Sequence, residues 1–343
     1  MDEARVRSRS RYARSHRIRG DALGVFEGGG AGKSSASFFL YVQIVLLGTA
    51  AGGGFPQWNC WCPSCTVARH DPLAARPRSQ SSAAISVDGQ RWFLLNASPD
   101  VRDQLARLRS GTAGQIRHVP IEGVLLTDAE IDHTLGFVLL REARHLPLYT
   151  TASIRTMLEC DSRILPMTRA FAEVPVTELQ LEMPQVLHYG DGSASGLSAE
   201  AFAVPAGPPR FATSHEVGHT VGIAVRDEES GKVCAFVPGC GHLNSSLLER
   251  LARADLLLFD GTFWTDDELI ALGISDQTAR QMDHLPISGP SGSLEQLGKL
   301  PCRYRIYTHI NNTNPVLVEN SPERALVEQG GLTIGVDGLE INL

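Results

Sequence analysis

"TDAEIDH", residues 127–133, closes the apolar run "EGVLLT" and leads into "TLGFVLLREA". The run before it is short and aliphatic, as a buried strand is, and the segment after it has helical spacing. The seven residues therefore read as strand end, polar loop and helix start. Side chains at such a junction project from one edge of a sheet. Four of them, Asp128, Glu130, Asp132 and His133, are of metal-ligand or acid–base type. Adjacent Asp132 and His133 can both reach one ion from a tight turn, because consecutive residues there need not point to opposite sides as they do in a strand. Alone, the pair is equally well explained by Asp132 capping the next helix and His133 as a satisfied polar residue.

What favours a metal is company. Downstream lie "SHEVGHTVG" with His215 and His219, "QMDHLPISGPSG" with His284, and "YTHINNTNP" with His309, each near a strand end or in a Gly/Pro-rich loop. Separated His-bearing loops converging on one edge are how a metalloenzyme collects ligands from distant segments. His309 ranks first, because an Asn-rich turn follows its strand end; His284 and His219 come next. The sharpest local signal is "NCWCPSC". Cys60, Cys62 and Cys65, spaced C-x-C-x-x-C, can close around one zinc as thiolates, against a reading as three buried thiols in a turn. Such a site is structural, since a full ligand shell leaves no position for substrate. Cys160, Cys234, Cys240 and Cys302 are scattered and read mostly as packing residues.

The chain has 343 residues, 43% hydrophobic and 20% charged, with a net charge of −7. That is a soluble globular composition with core enough to dispense with disulfide staples. Seven arginines fall in the first twenty residues beside Asp2 and Glu3, leaving 24 basic against 36 acidic residues in the rest. So acidic a body argues against nucleic acid as a partner. Seven cysteines, three of them at ligand spacing, suit a reducing, cytoplasmic setting.

Residues 1–40 read as a disordered basic N-terminal extension. The basic start followed by "FFLYVQIVLLGTAA" can also be taken for an export signal, but Gln43 interrupts the run and the cysteine loop follows at once. No other stretch is long and apolar enough to span a bilayer, so membrane insertion is not expected. "EGGGAGKSS", residues 27–35, imitates a phosphate-binding loop, yet Glu27 replaces its first glycine and places a negative charge where phosphate would sit.

From residue 41 onward short apolar runs alternate with helical patterns and Gly/Pro turns. "YVQIVLL", "SSAAISV", "RWFLLNA", "EGVLLT", "EAFAVPA", "HTVGIAVRD", "KVCAFVPG", "DLLLFDG", "YRIYTH" and "GLTIGVDG" read as strands. "SPDVRDQLARLR", "NSSLLERLARA", "WTDDELIALG" and "SPERALVEQG" read as helices, the last with Ser321 as N-cap, Pro322 at the first helical position and Gly330 as its stop. Strands cluster before about residue 126 and after about residue 199, which suits an α/β sandwich of two sheets face to face with helices outside.

Together "GTAAGGGFPQWNCWCPSC", "TDAEIDHTLG", "MDHLPISGP" and "HINNTNPVL" resemble the coenzyme PQQ synthesis protein B family of the metallo-β-lactamase-like superfamily, over 41–343. The resemblance implies an αββα sandwich of two mixed β-sheets flanked by helices, with a metal site at one edge. In the superfamily's His-x-His-x-Asp-His signature the first two histidines hold one metal and the Asp and last His serve its neighbour. Asp128 and Glu130 here stand where the first two histidines would be, which puts the two-metal hydrolase site in doubt. Asp132, His133 and His309 remain as a mononuclear set. Two imidazoles and one carboxylate on one face of an ion match non-haem Fe(II) and oxygen activation.

The resemblance further implies a role in making pyrroloquinoline quinone (PQQ), with Fe(II)- and O2-dependent hydroxylation of the tyrosine ring of a peptide-derived Glu-Tyr precursor as the leading expectation. His284 or His219 would move protons or orient the phenol, and Asp128 and Glu130 would fix histidine tautomers. Cys60, Cys62 and Cys65 would bind a structural zinc, with Asn312, by analogy with related phosphodiesterases, as the fourth ligand. The expected partners are the precursor, O2 and a second copy of the chain. The alternatives are a carrier assisting export of PQQ or its precursor, and a zinc-dependent hydrolase.

Overall fold

The computed structural model describes residues 17–18, 41–108 and 116–343. The extension expected over residues 1–40, with its phosphate-loop reading, lies outside the described residues apart from Arg17–Ile18, whereas the apolar run of the export-signal reading continues into the described strand Gln43–Gly48. In chain order the first strands are β1 (Arg17–Ile18), β2 (Gln43–Gly48), β3 (Ser82–Ser86), β4 (Trp92–Leu95), β5 (Ile121–Leu125), β6 (Leu148–Thr150) and β7 (Val176–Glu178). A second set follows: β8 (Gln185–His188), β9 (Ala194–Ala203), β10 (Val221–Asp227), β11 (Val233–Val237), β12 (Leu256–Asp260), β13 (Tyr304–Thr308) and β14 (Thr333–Ile334). Last comes β15 (Glu340–Asn342). One sheet runs β1-β15-β2-β3-β4-β5-β6-β7 and the other β14-β13-β12-β11-β10-β9-β8.

The same pairing pattern builds both sheets. From β15 to β7, and again from β8 to β14, three antiparallel junctions are followed by three parallel ones. β5 and β12 are thus equivalent, each the first strand past the switch to parallel pairing. Side-chain alternation fixes the layers. In the second sheet Leu256, Leu258 and Ile306 share a core with Ile44, Leu46 and Phe93 of the first. Leu257, Phe259 and Tyr307 face the other way and pack with Leu247, Leu297 and Val327 of flanking helices.

The helices are α1 (Pro63–His70), α2 (Val101–Leu105), α3 (Ile131–Leu139), α4 (Ala152–Thr156), α5 (Ile164–Arg169), α6 (Ser245–Leu251), α7 (Glu268–Ala271), α8 (Ser293–Leu297) and α9 (Pro322–Gln329). The expected α9 signals are all present: Ser321 accepts from the Arg324 N–H, Pro322 opens the helix and Gly330 closes it. α3 lies hard against the turn after β4, where a Cβ on Gly136 would sit 2.0 Å from the Ser98 carbonyl oxygen. That approach sets the seat of the helix that carries Asp132 and His133. Among the described residues no helix is long and apolar enough to cross a membrane.

Two expectations about strands need correction. "GLTIGVDG" is not one strand: β14 ends at Ile334, and the chain crosses to the first sheet to form β15 against β2. Gly335 makes the crossing, where a Cβ would meet the Tyr307 carbonyl at 2.8 Å and Leu46 at 3.0 Å. The first set of strands also extends past residue 126, because β6 and β7 continue its sheet. Strands of three residues are too short to show a period of two.

Candidate metal centre

Equivalent strands deliver the two halves of the centre. Asp128 stands just past β5, and Asp260 is the last residue of β12, with Thr262 two residues on. His309 follows β13, and Gly261 N–H bonds to the Thr308 carbonyl at 2.8 Å, holding the two strand ends together. Asp132 and His133 lie in the first turn of α3 rather than in an open turn; consecutive helix residues leave the axis about 100° apart, and the side chains close that gap to bring His133 Nε2 within 3.8 Å of Asp132 Oδ2. Carboxylate charge is favoured there by the positive end of the helix.

Three imidazoles come together. The His133 and His309 ring centroids are 5.0 Å apart, and those of His284 and His309 are 5.4 Å apart. Each ring has its Nδ1 engaged. His133 Nδ1 is 2.8 Å from both oxygens of Asp128, and His284 Nδ1 is 2.8 Å from Asp260 Oδ2. An ionised carboxylate only accepts, so Nδ1 carries the proton in both rings. His309 Nδ1 lies 2.8 Å from Thr262 Oγ1, whose own hydroxyl is 2.6 Å from Asp260 Oδ1. With that proton aimed at Asp260, the hydroxyl accepts from His309. All three rings are therefore tied at Nδ1, which leaves Nε2 as the nitrogen turned toward the rim.

These nitrogens face acceptors. His309 Nε2 is 3.3 Å, and His133 Nε2 is 3.8 Å, from Asp132 Oδ2. Among the described residues, His133 Nε2 is buried with no hydrogen-bond partner. Lone pairs from two imidazoles and a carboxylate aimed at one point need a cation between them, so the donors of Asp132, His133 and His309, mutually within 4.8 Å, fit a divalent ion. The same carboxylates favour positive charge at this point: although burial opposes charge, Asp128 and Asp132 push His133 up to about 9. Asp132 is held well below the carboxylate range, against burial, by the charges of His133 and His309.

Asp128 is itself fixed by Thr127 Oγ1 at 2.8 Å and the Glu130 N–H at 2.9 Å. Buried Asn96, at φ 63°, in turn holds Thr127 through its backbone N–H and its hydroxyl. Glu130 departs from expectation. Among the described residues its carboxylate bonds to no imidazole; it precedes α3 without a side-chain cap, and burial plus the Asp128 and Asp132 charges push it up to about 7. His219 belongs to none of the donor groups found among the described residues; its Nδ1 is 3.1 Å from Thr220 Oγ1, with burial and the neighbouring His215 lowering its pKa. Asp260 and Thr262 are the functional residues that motif reading passed over. The one available signal was a carboxylate closing the apolar run "DLLLF", directly before Gly261.

A second cluster stands nearby. The sulfurs of Cys60, Cys62 and Cys65 lie within 4.8 Å of one another, in the loop that enters α1 with Cys62 as N-cap and Pro63 behind it. Asn312, buried, brings its side-chain amide to 3.3 Å from Cys65 Sγ and 3.8 Å from Cys62 Sγ. Turned over, the same amide presents Oδ1. Three soft thiols and one further donor suit tetrahedral zinc. Cys234, Cys240 and Cys302 are buried and Cys160 is exposed.

A sequence profile of the Beta-lactamase superfamily domain matches residues 91–310. The chain is 42% identical over 313 residues to coenzyme PQQ synthesis protein B of Methylobacterium radiotolerans, covering 88% of this chain and 100% of that protein. Among solved structures it is similar to Zn(2+)-bound PqqB from Methylobacterium extorquens, with 40% identity, a TM-score of 0.78, and coverage of 88% of this chain and 100% of that one. A diphosphatase of the PhnP family shares the fold alone, at 17% identity and a TM-score of 0.60, over 89% of this chain and 98% of that one.

Proposed function

The chain belongs to the coenzyme PQQ synthesis protein B family of the β-lactamase superfamily, and from that premise we propose that it performs a metal-dependent step in making PQQ: Fe(II)- and O2-dependent hydroxylation of the tyrosine ring of a peptide-derived Glu-Tyr precursor. The observation that carries this reading is the buried Nε2 of His133, without a hydrogen-bond partner among the described residues, beside His309 and Asp132. Fe(II) in such a set supplies the redox chemistry that activates O2 toward an aromatic ring.

The chain's own groups do the rest. Asp132, His133 and His309 would hold the ion, and their Nδ1 partners keep the two rings in the ligating tautomer. Three protein donors leave positions open, which a zinc thiolate site does not. Burial of His133 and His309 keeps bulk water from the metal side. His284, with a side chain 20% exposed and Nδ1 tied to Asp260, is placed to hold or move a proton at Nε2 on the open side of the centre. Phe263 stands edge-on to that ring, 5.9 Å between centroids, and limits its rotation.

Anaerobic reconstitution with Fe(II), followed by O2 and a tyrosine-derived Glu-Tyr precursor, tests the proposal by mass spectrometry. Product heavier by one oxygen atom is expected. A folded, iron-loaded protein that yields none would end the oxygenation reading.

A further inference from the structure

Only two residues, Ile310 and Asn311, separate the two donor clusters. His309 belongs to one, Asn312 touches the other, and the stretch between them is unusually constrained. His309 has φ 54°, a left-handed conformation that costs a non-glycine residue about 1 kcal/mol or more and persists only when the surroundings impose it. Ile310 is clamped on both sides, its N–H to the Thr49 carbonyl and its carbonyl to the Ala51 N–H, each at 2.9 Å. The Asn311 N–H bonds to the Thr262 carbonyl at 3.0 Å, and Asn314 Nδ2 to the Gly261 carbonyl at 3.0 Å. These bonds tie the segment to the β2 and β12 ends.

Asn312 is the exception. Its side chain and its carbonyl are buried, and among the described residues the polar contacts given for them are all to the cysteine cluster, the side chain reaching Cys60, Cys62 and Cys65 and the carbonyl lying 3.4 Å from Cys62 Sγ and 3.8 Å from Cys65 Sγ. Thiols are weak hydrogen-bonding groups, so those contacts alone hold an amide poorly. A cation seated on the three sulfurs turns the same contact into a firm one.

We propose that Asn312 is a positioning residue through which the metal-loaded cysteine cluster holds His309 in its ligating geometry. The thiol site then does more than staple the loop before α1: its occupancy sets the affinity of the His/Asp site. The inference rests on the reading that Asp132, His133 and His309 bind an ion.

Co(II) separates the two sites by spectrum, since thiolate coordination gives intense near-ultraviolet charge-transfer bands and imidazole–carboxylate coordination only weak visible ones. Zinc-loaded wild type, Asn312→Ala and Asn312→Asp are titrated with Co(II), with circular dichroism as the check on folding. Asn312→Ala is expected to weaken binding at the His/Asp site by about tenfold or more, the range seen when an outer partner of a metal ligand is lost. Asn312→Asp, which keeps volume and a donor oxygen, is expected to restore most of it. Cys62→Ser, which empties the thiol site while leaving Asn312 itself in place, is expected to reproduce the loss. Folded Asn312→Ala and Cys62→Ser proteins that bind Co(II) within twofold of wild type would overturn the coupling. Wild type showing no visible-band titration at all would instead overturn the proposed function.

Discussion

The cysteine loop and the histidine rim lie side by side and are built in opposite ways. Cys60, Cys62 and Cys65 come from six consecutive residues, and the turn into α1 suffices to bring their sulfurs within 4.8 Å. The rim draws on α3, the ends of β12 and β13, and the loop bearing His284. The loop uses soft donors with room for one more ligand. The rim uses nitrogen and oxygen donors, each imidazole tied from behind, with open positions in front. A self-contained thiol set is suited to hold chain; an assembled set of harder donors with vacancies is suited to react.

If that division is right, His309→Ala should give the largest separation of the two regions. Metal analysis is expected to show loss of the rim metal with about one zinc retained, and the proposed hydroxylation falling by about 100-fold or more. Loss of both metals would erase the distinction between the sites.

Glu268 probes the joint between the regions. Buried at the start of α7, it accepts from the Trp264 N–H at 2.6 Å on the rim side and from the Thr313 hydroxyl on the Asn312 side. Burial pushes its carboxyl from 4.5 up to about 7. Its folded pKa lies above its unfolded one, so the folded state holds the proton more tightly. Its contribution is therefore fully present below about pH 4.5 and is lost as pH rises through 7, at most about 3 kcal/mol over that window. Glu268→Gln should flatten this part of the stability–pH curve in urea unfolding; an unchanged slope would remove Glu268 from the joint.

Asp128→Asn should give the smallest of these effects. The amide can still face His133 Nδ1 but no longer fixes its proton, and rim-metal affinity is expected to fall about 10- to 100-fold by isothermal titration, with the thiol zinc unaffected. Unaltered affinity would make Asp128 a purely structural acid.

Legibility divided along the same line. The C-x-C-x-x-C loop, the Asp132–His133 pair and His309 were readable because each sits in a distinctive local pattern. Asp260 and Thr262 were not, since a carboxylate at a strand end is indistinguishable in sequence from a capping or turn residue until β12 is placed beside β13. The reading of Glu130 as a tautomer-fixing partner failed for a related reason: spacing brings it near His133, but the turn bonds its backbone, not its carboxylate, to Asp128. Most strands followed from apolar runs, while β6, β7 and β15, three residues each, carry too little pattern, and the break at Gly335 shows only against Tyr307 and Leu46.

Donor types and their local spacing are thus properties of the chain itself, because a turn or a helix start brings near neighbours together whatever the rest does. Which donors meet, and which nitrogen each ring offers, belongs to the tertiary structure. β5, β12 and β13 end at one rim only after two sheets have stacked, and the Nδ1 partners that free each Nε2 reach the rings from as far along the chain as Thr262 does from His309.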